Sequence, residues 1–200
     1  MGGAAATRIT AGAWRGRQVD TPPGLATRPT TSLVRQALFN IVGAVDGAAV
    51  VDLFAGAGTV GFEALSRGAA RVTFVERDRS TLRLVAQTAG RLGCAGRCRL
   101  VTAEALAWVR GRPADLAGAD LVYVDAPYHD TGLTAVLDAL GAQSPPLVVC
   151  EHHRAAMLPD AVGGLERVRE ATYGTTRLTF FRRVAAADAA DDALDQRERG

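Results

Sequence analysis

"VVDLFAGAGTVGFEA" spans residues 50–64. Apolar residues lead into Asp52, and Gly56, Gly58 and Gly61 follow in the spacing G-x-G-x-x-G. The pattern predicts a buried strand, a tight turn and the start of a helix, which together open a βαβ unit. Glycine lets the backbone turn sharply and come close to a ligand. The next strand-like run, "RVTFVE", ends on Glu76, 20 residues after Gly56. A carboxylate there can accept hydrogen bonds from ribose hydroxyls.

These features fit a dinucleotide, but Asp52 does not. It lies four positions before Gly56, at the strand end facing the same crevice. A pyrophosphate would meet that carboxylate, and repulsion would undo what the helix N-terminus offers. S-adenosylmethionine has no phosphate and carries a sulfonium and an ammonium. An acid here suits it, directly or through water, so S-adenosylmethionine is favoured over a nicotinamide cofactor.

Outward from this stretch the chain alternates. Strand-like "AAVVDLF", "RVTFVE", "RCRLV", "ADLVYVD" and "PLVVCE" are separated by helical segments: "TVGFEALSRG", Asp78 to Leu92, "EALAWVRG" and "TGLTAVLDALG". Such alternation predicts an α/β fold with a parallel sheet covered on both faces. "LERVREATYG" and "TTRLTFFRR" have no helix between them and predict an antiparallel hairpin at one edge. Before the glycine turn, Thr30, Thr31 or Ser32 can cap a helix carrying Val34, Ala37, Leu38, Ile41, Val42 and Val45 on one face. "RITAGAWRGRQV" reads as two short strands around a glycine turn. The expected organisation is a β-hairpin and loop over residues 1–30, one domain over 31–184, and a disordered acidic tail over 185–200.

The chain has 200 residues, 48% of them hydrophobic, enough for one core and too few for two large domains. No apolar run approaches the roughly 20 residues that span a bilayer. The opening residues have no apolar stretch of signal-peptide length, and a cytoplasmic protein without membrane contact is expected. Cys94, Cys98 and Cys150 are odd in number and suggest no disulfide framework. Cys94 and Cys98 with His152 and His153 match no usual zinc spacing, so no metal is expected. The net charge of +2 is unevenly spread. Residues 1–35 carry Arg8, Arg15, Arg17, Arg28 and Arg35 against Asp20, a net +4, and residues 188–200 carry a net −3. A basic arm of this kind is either a solvated surface or a nucleic-acid contact.

"LVYVDAPYHD", residues 121–130, ends a strand on Asp125. In a doubly wound sheet this strand neighbours the first, so Asp125 lies beside the expected donor. An enzyme that methylates an amine needs acceptors to orient the NH₂ group and a flat surface to clamp the base. Asp125 and the Ala126 carbonyl supply acceptors, Tyr128 a clamp, and Pro127 fixes the turn between them. The competing reading has Asp125 capping a turn and Tyr128 in the core. Glu104, after the third strand, can bond an adenine amino group or can serve the helix dipole.

"DAPY" resembles the (Asn/Asp)-Pro-Pro-(Tyr/Phe) signature of amino-methyltransferases. With "RITAGAWRGR", "TRPTTSLVRQALFN", "DLFAGAGTVGFEALSRGA", "FVERD" and "YGTTRLTFFRR", the chain resembles the RsmD family over about residues 8–183. The resemblance implies a Rossmann-like class I methyltransferase with a seven-stranded sheet. It implies S-adenosylmethionine as donor and guanine N2 of 16S ribosomal RNA, or of the small subunit, as acceptor. Matching motifs assign Asp52, Phe54, Gly56, Gly58, Glu76 and Glu104 to the donor. They assign Asp125, Ala126, Pro127 and Tyr128 to catalysis, and with the resemblance Arg8, Arg15, Arg17, Arg28 and Arg35 are expected to hold RNA phosphates. Two departures stand out: the family usually has proline where Ala126 stands, and often asparagine in the helix after "VERD". Ala126 precedes Pro127, which biases it to an extended backbone, so activity is expected to survive. A monomer is expected. The rivals are a DNA or RNA adenine-N6 methyltransferase, a nicotinamide-dependent oxidoreductase and a non-catalytic RNA-binding assembly factor.

Overall fold

The computed structural model of the chain describes residues 7–21, 31–126 and 132–184. Arg28, Pro127, Tyr128 and the acidic tail lie outside the described residues. Two short strands, β1 (Thr7–Arg8) and β2 (Gln18–Val19), pair antiparallel. Helix α1 (Ser32–Val42) follows, with Thr31 as its cap: its hydroxyl accepts from the Val34 N–H at 3.3 Å. The alternating part then runs β3 (Ala49–Leu53), α2 (Thr59–Ser66), β4 (Arg71–Glu76), α3 (Arg79–Leu92), β5 (Cys98–Thr102), α4 (Ala105–Arg110), a short α5 (Ala114–Ala117), β6 (Leu121–Val124), α6 (Gly132–Gly141) and β7 (Leu147–His153). It closes with β8 (Ala161–Val162), β9 (Leu165–Tyr173) and β10 (Thr176–Arg183).

The sheet order is β5-β4-β3-β6-β7-β10-β9-β8. The pairs among β5, β4, β3, β6 and β7 are parallel, and β10 enters antiparallel to both β7 and β9. The seven strands expected from the sequence are all present, and two-residue β8 lengthens one edge. Side-chain alternation along the strands separates two cores. Val50, Val72, Phe74, Tyr123 and Phe180 face α1, α2 and α3. Val51, Val75, Val122, Val124 and Phe181 face α4, α5 and α6. A strand covered on both faces can be apolar throughout, and β3 is buried at every residue.

The winding reverses at β3. From it the chain steps outward to β4 and β5, then returns through α4 and α5 to place β6 on the other side of β3. The carboxyl ends of β3 and β6 therefore flank the topological switch point, where open α/β sheets bind ligands.

The N-terminal hairpin is stitched to the domain through α2. Ile9 and Val19 join the core. Glu63 is fully buried, and its carboxylate accepts from the Thr10 N–H (2.8 Å), the Thr10 hydroxyl (2.6 Å), the Ala11 N–H (3.0 Å) and Arg67 Nε (2.9 Å). One turn on, the Ser66 carbonyl accepts from the Ala13 N–H at 2.8 Å, and its hydroxyl accepts from the Trp14 N–H at 2.9 Å. A Cβ on Gly12 would fall 1.8 Å from the Ser66 carbonyl oxygen, so only glycine permits this approach.

Arg35 corrects the expectation that it reaches out to RNA. It is 1% exposed, and its guanidinium donates to the Arg8 carbonyl at 2.8 Å and lies 3.8 Å from Glu63. Burial lowers its pKa, while Glu63, Tyr123 and Glu151 counter the shift. Its charge is spent inside the protein because Glu63 needs it there. Removing one partner of such a buried cluster strands the remaining charge, at a cost of about 3–5 kcal/mol. Glu63→Ala is expected to lose stability of that order in urea denaturation. An unchanged midpoint would show that the cluster does not hold the hairpin.

Candidate functional site

The residues assigned to the donor converge at the carboxyl ends of adjacent strands. After β3 the chain turns at Phe54, which takes φ 61° although it is not glycine. Such a conformation in a bulky residue costs of order 1–3 kcal/mol and is typical of ligand-binding turns. Gly56 and Gly58 follow at φ 52° and 75°, and Gly58 caps α2. The third glycine serves packing: a Cβ on Gly61 would lie 2.2 Å from Phe74 Cε1 of β4. α2 can press onto the sheet only because that atom is missing.

Two carboxylates hold this turn from beneath and beside. Asp52 is 2% exposed, and Oδ2 accepts from the Gly61 N–H at 3.0 Å. The sequence suggested that it faces the crevice, yet its side chain turns inward under α2. Burial pushes its pKa up to about 8, the Gly61 N–H opposes the shift and Glu76 adds to it. Asp52 is thus largely protonated at neutral pH, which weakens the charge argument made from its position. Glu76, at the end of β4, is half-buried and accepts from the Gly56 N–H at 3.1 Å and the Asp78 N–H at 2.9 Å.

Glu104 caps α4, accepting from Leu106 N–H (3.0 Å) and Ala107 N–H (2.7 Å). Its helix-end role is therefore realised, and its exposed carboxylate keeps lone pairs for a ligand. Asp125, half-buried, follows β6 directly, and Ala126 is 4% exposed. Glu76 thus ends β4, Asp125 directly follows β6 and Glu104 stands two residues past β5, while buried, largely protonated Asp52 adds little charge to them. With strands about 4.8 Å apart, Glu76 and Asp125 sit roughly two spacings apart, on either side of the glycine turn. An acidic row of this kind favours a cationic ligand over a pyrophosphate.

Sequence reasoning missed Glu63 and the polar pair beneath Asp125, where the buried Tyr123 hydroxyl donates to Glu151. Neither announces itself in a linear pattern, since every partner named except Arg67 is distant in the chain. Cys94 and Cys98 approach to 3.9 Å between sulfurs, but β5 and the His-bearing β7 are separated by three strands. Among the described residues, no group of three His, Cys, Asp or Glu side chains could hold a metal, and no helix is long and apolar enough to cross a membrane. A groove of about 390 Å³ between Arg110, Arg112 and Asp138 lies apart from these strand ends.

The reversal at β3, the glycine turn and the antiparallel β10 beside β7 define a Rossmann-like class I methyltransferase fold. The chain belongs to the RsmD family: the family model described as conserved hypothetical protein 95 matches residues 7–182. YlbH of Bacillus subtilis is 32% identical over 88% of this chain and 98% of its own. Ribosomal RNA small subunit methyltransferase D of Escherichia coli K12 is 30% identical over 95% of this chain and 96% of its own. The solved E. coli yhhF structure superposes with a TM-score of 0.77 at 31% identity, covering 90% of this chain and 99% of that one. The fold also recurs, at 17% identity and a TM-score of 0.59, over 78% of this chain and 93% of an RNA methyltransferase from Salinibacter ruber solved with S-adenosyl-L-homocysteine.

The Asp52 proton makes a testable difference. A carboxyl whose folded pKa is raised binds a proton that the unfolded chain has released, so stability falls as pH rises from about 4 to 8 and then levels. Asp52→Asn cannot ionise. Its stability relative to the parent is expected to rise across that window in urea titrations, and a pH-independent difference would contradict the assignment.

Proposed function

We propose that this chain transfers a methyl group from S-adenosylmethionine to the exocyclic N2 of a guanine in 16S ribosomal RNA. The observation that carries the reading is the acidic row at the switch point, with Asp125 and Ala126 beside the glycine turn. The name of the E. coli relative supports ribosomal RNA as the acceptor. S-adenosylmethionine would supply a methyl group on a sulfonium.

The residues fit that donor. Glu76 would accept from the ribose hydroxyls, Glu104 would meet the adenine edge, and Phe54 with Gly56 and Gly58 would allow close backbone approach. Asp52 acts from below by holding Gly61. A cation bound above it would draw out its proton, so donor affinity should improve as pH rises toward 8. On the acceptor side, the Asp125 carboxylate and the Ala126 carbonyl accept from the guanine amine and aim its lone pair. Tyr128 keeps the stacking role given by the sequence, against a base turned out of its stack. Orientation of the amine supplies most of the rate. The methylated amine is strongly acidic, and water removes its proton.

Tritiated methyl transfer to undermethylated small subunits, naked 16S RNA and DNA tests the reading. Label in RNA at guanine N2 is expected; label in adenine or DNA, or none anywhere, would overturn it. If Asp125 orients rather than takes the proton, Asp125→Asn keeps measurable single-turnover transfer, because an amide oxygen still accepts a hydrogen bond. Asp125→Ala should lose nearly all of it. Equal residual rates in the two variants would instead assign general-base work, typically 10²–10⁴-fold.

The hairpin arginines give a second expectation. Arg8, Arg15 and Arg17 are exposed. Because the hairpin is part of the core, point substitution is the sound probe, not truncation. Arg15→Ala and Arg17→Ala should each reduce the salt dependence of RNA binding by about one ion. Unaltered slopes would remove the hairpin from the interface.

A further inference from the structure

Residues 12–17 form a turn that the methyl-transfer step does not use, and beyond its phosphate-binding arginines it presents a built surface. Trp14 is partly buried against the core, with its backbone fixed by Ser66 and its carbonyl accepting from the Arg17 N–H at 3.0 Å. Over its ring sits the guanidinium carbon of Arg97, 5.1 Å from the centroid. Arg97 comes from a separate element, the single 3₁₀ turn Ala95–Arg97 that leads into β5, and it is exposed. It has no carboxylate partner among the described residues. Arg15 and Arg17 flank the tryptophan and are exposed. A fixed aromatic ring, a solvent-facing guanidinium stacked on it and two flanking cations are the components that hold an unpaired base and its phosphates.

We propose that Trp14 and Arg97 form a stacking platform for an unpaired nucleotide of the RNA substrate, next to the segment that carries the methylated base. The proposal rests on the ribosomal RNA reading above. The platform meets the Ser66 end of α2, and the glycine turn lies at the other end. The eight residues of α2 between these ends span roughly 12 Å along the axis, and the RNA strand would pass around this buried helix to reach both. The ring is already held in place, so little ordering is lost on binding.

Tryptophan emission reads the contact directly. In full-length protein carrying Trp108→Phe, Trp14 is the remaining tryptophan. A single-stranded RNA oligonucleotide is expected to quench it, and the same sequence as a duplex to quench it far less. Arg97→Ala and Trp14→Ala should weaken single-strand binding about five- to a hundredfold. Trp14→Phe should recover most of that loss, and donor affinity should not move. Trp14→Ala should leave the salt slope as it is, unlike Arg15→Ala. Should Trp14→Ala fail to fold, the surface change Arg97→Ala carries the test. RNA that binds and is methylated without quenching, with Arg97→Ala binding as the parent does, overturns the platform alone. Equal quenching by duplex overturns the unpaired-base assignment. Absence of both RNA binding and methyl transfer overturns the functional reading and the platform with it.

Discussion

The buried carboxylate of Glu63 governs how the N-terminal half is arranged. A charge out of water must be matched by donors, and no single element near α2 offers enough of them. The hairpin brings two backbone N–H groups and a hydroxyl, α2 itself brings Arg67, and α1 brings Arg35. Three segments far apart in sequence are thereby tied to one side chain. The hairpin becomes part of the domain instead of an appendage, and the positions of Trp14, Arg15 and Arg17 are fixed as a result.

The same short helix serves the opposite end. α2 starts at the glycine turn and finishes where the hairpin docks, and it is buried from Val60 to Ser66. Its closeness to the sheet depends on Gly61 against Phe74, and its first turn is held by Asp52. The left-handed Phe54 is sustained by what surrounds it, including the bond from the Ala55 N–H to the Val75 carbonyl. A strained turn persists only where neighbouring packing over-determines it. The rigidity that builds the glycine turn and the rigidity that builds the hairpin surface are one packing unit.

Much of this was legible in the chain. The glycine spacing, the alternation of strand and helix and the β-rich ending gave the parallel sheet, its switch point and the antiparallel hairpin. Thr31 as cap of α1 followed from residue type. The positions of Glu76 and Asp125 at strand ends follow from the chain because a strand end is a local feature and an acid there is conspicuous. Two residues escape a linear reading. The sequence points Asp52 toward the crevice, but a strand end has an inside as well as an outside, and the first-turn N–H of Gly61 holds it inward. Composition groups Arg35 with the surface arginines because it registers charge without depth.

What the sequence determined alone was whatever depends on near neighbours: the period of each element, its caps, the glycine turn, and which acids stand at strand ends. Only the tertiary structure decided which charges reach solvent. Desolvation and pairing are set by residues from distant segments, as Arg8, Arg35 and Glu63 show. The meeting of Trp14 with Arg97 has the same origin. It is created by the docking of the hairpin on α2 and by the turn before β5, and no spacing along the chain encodes it.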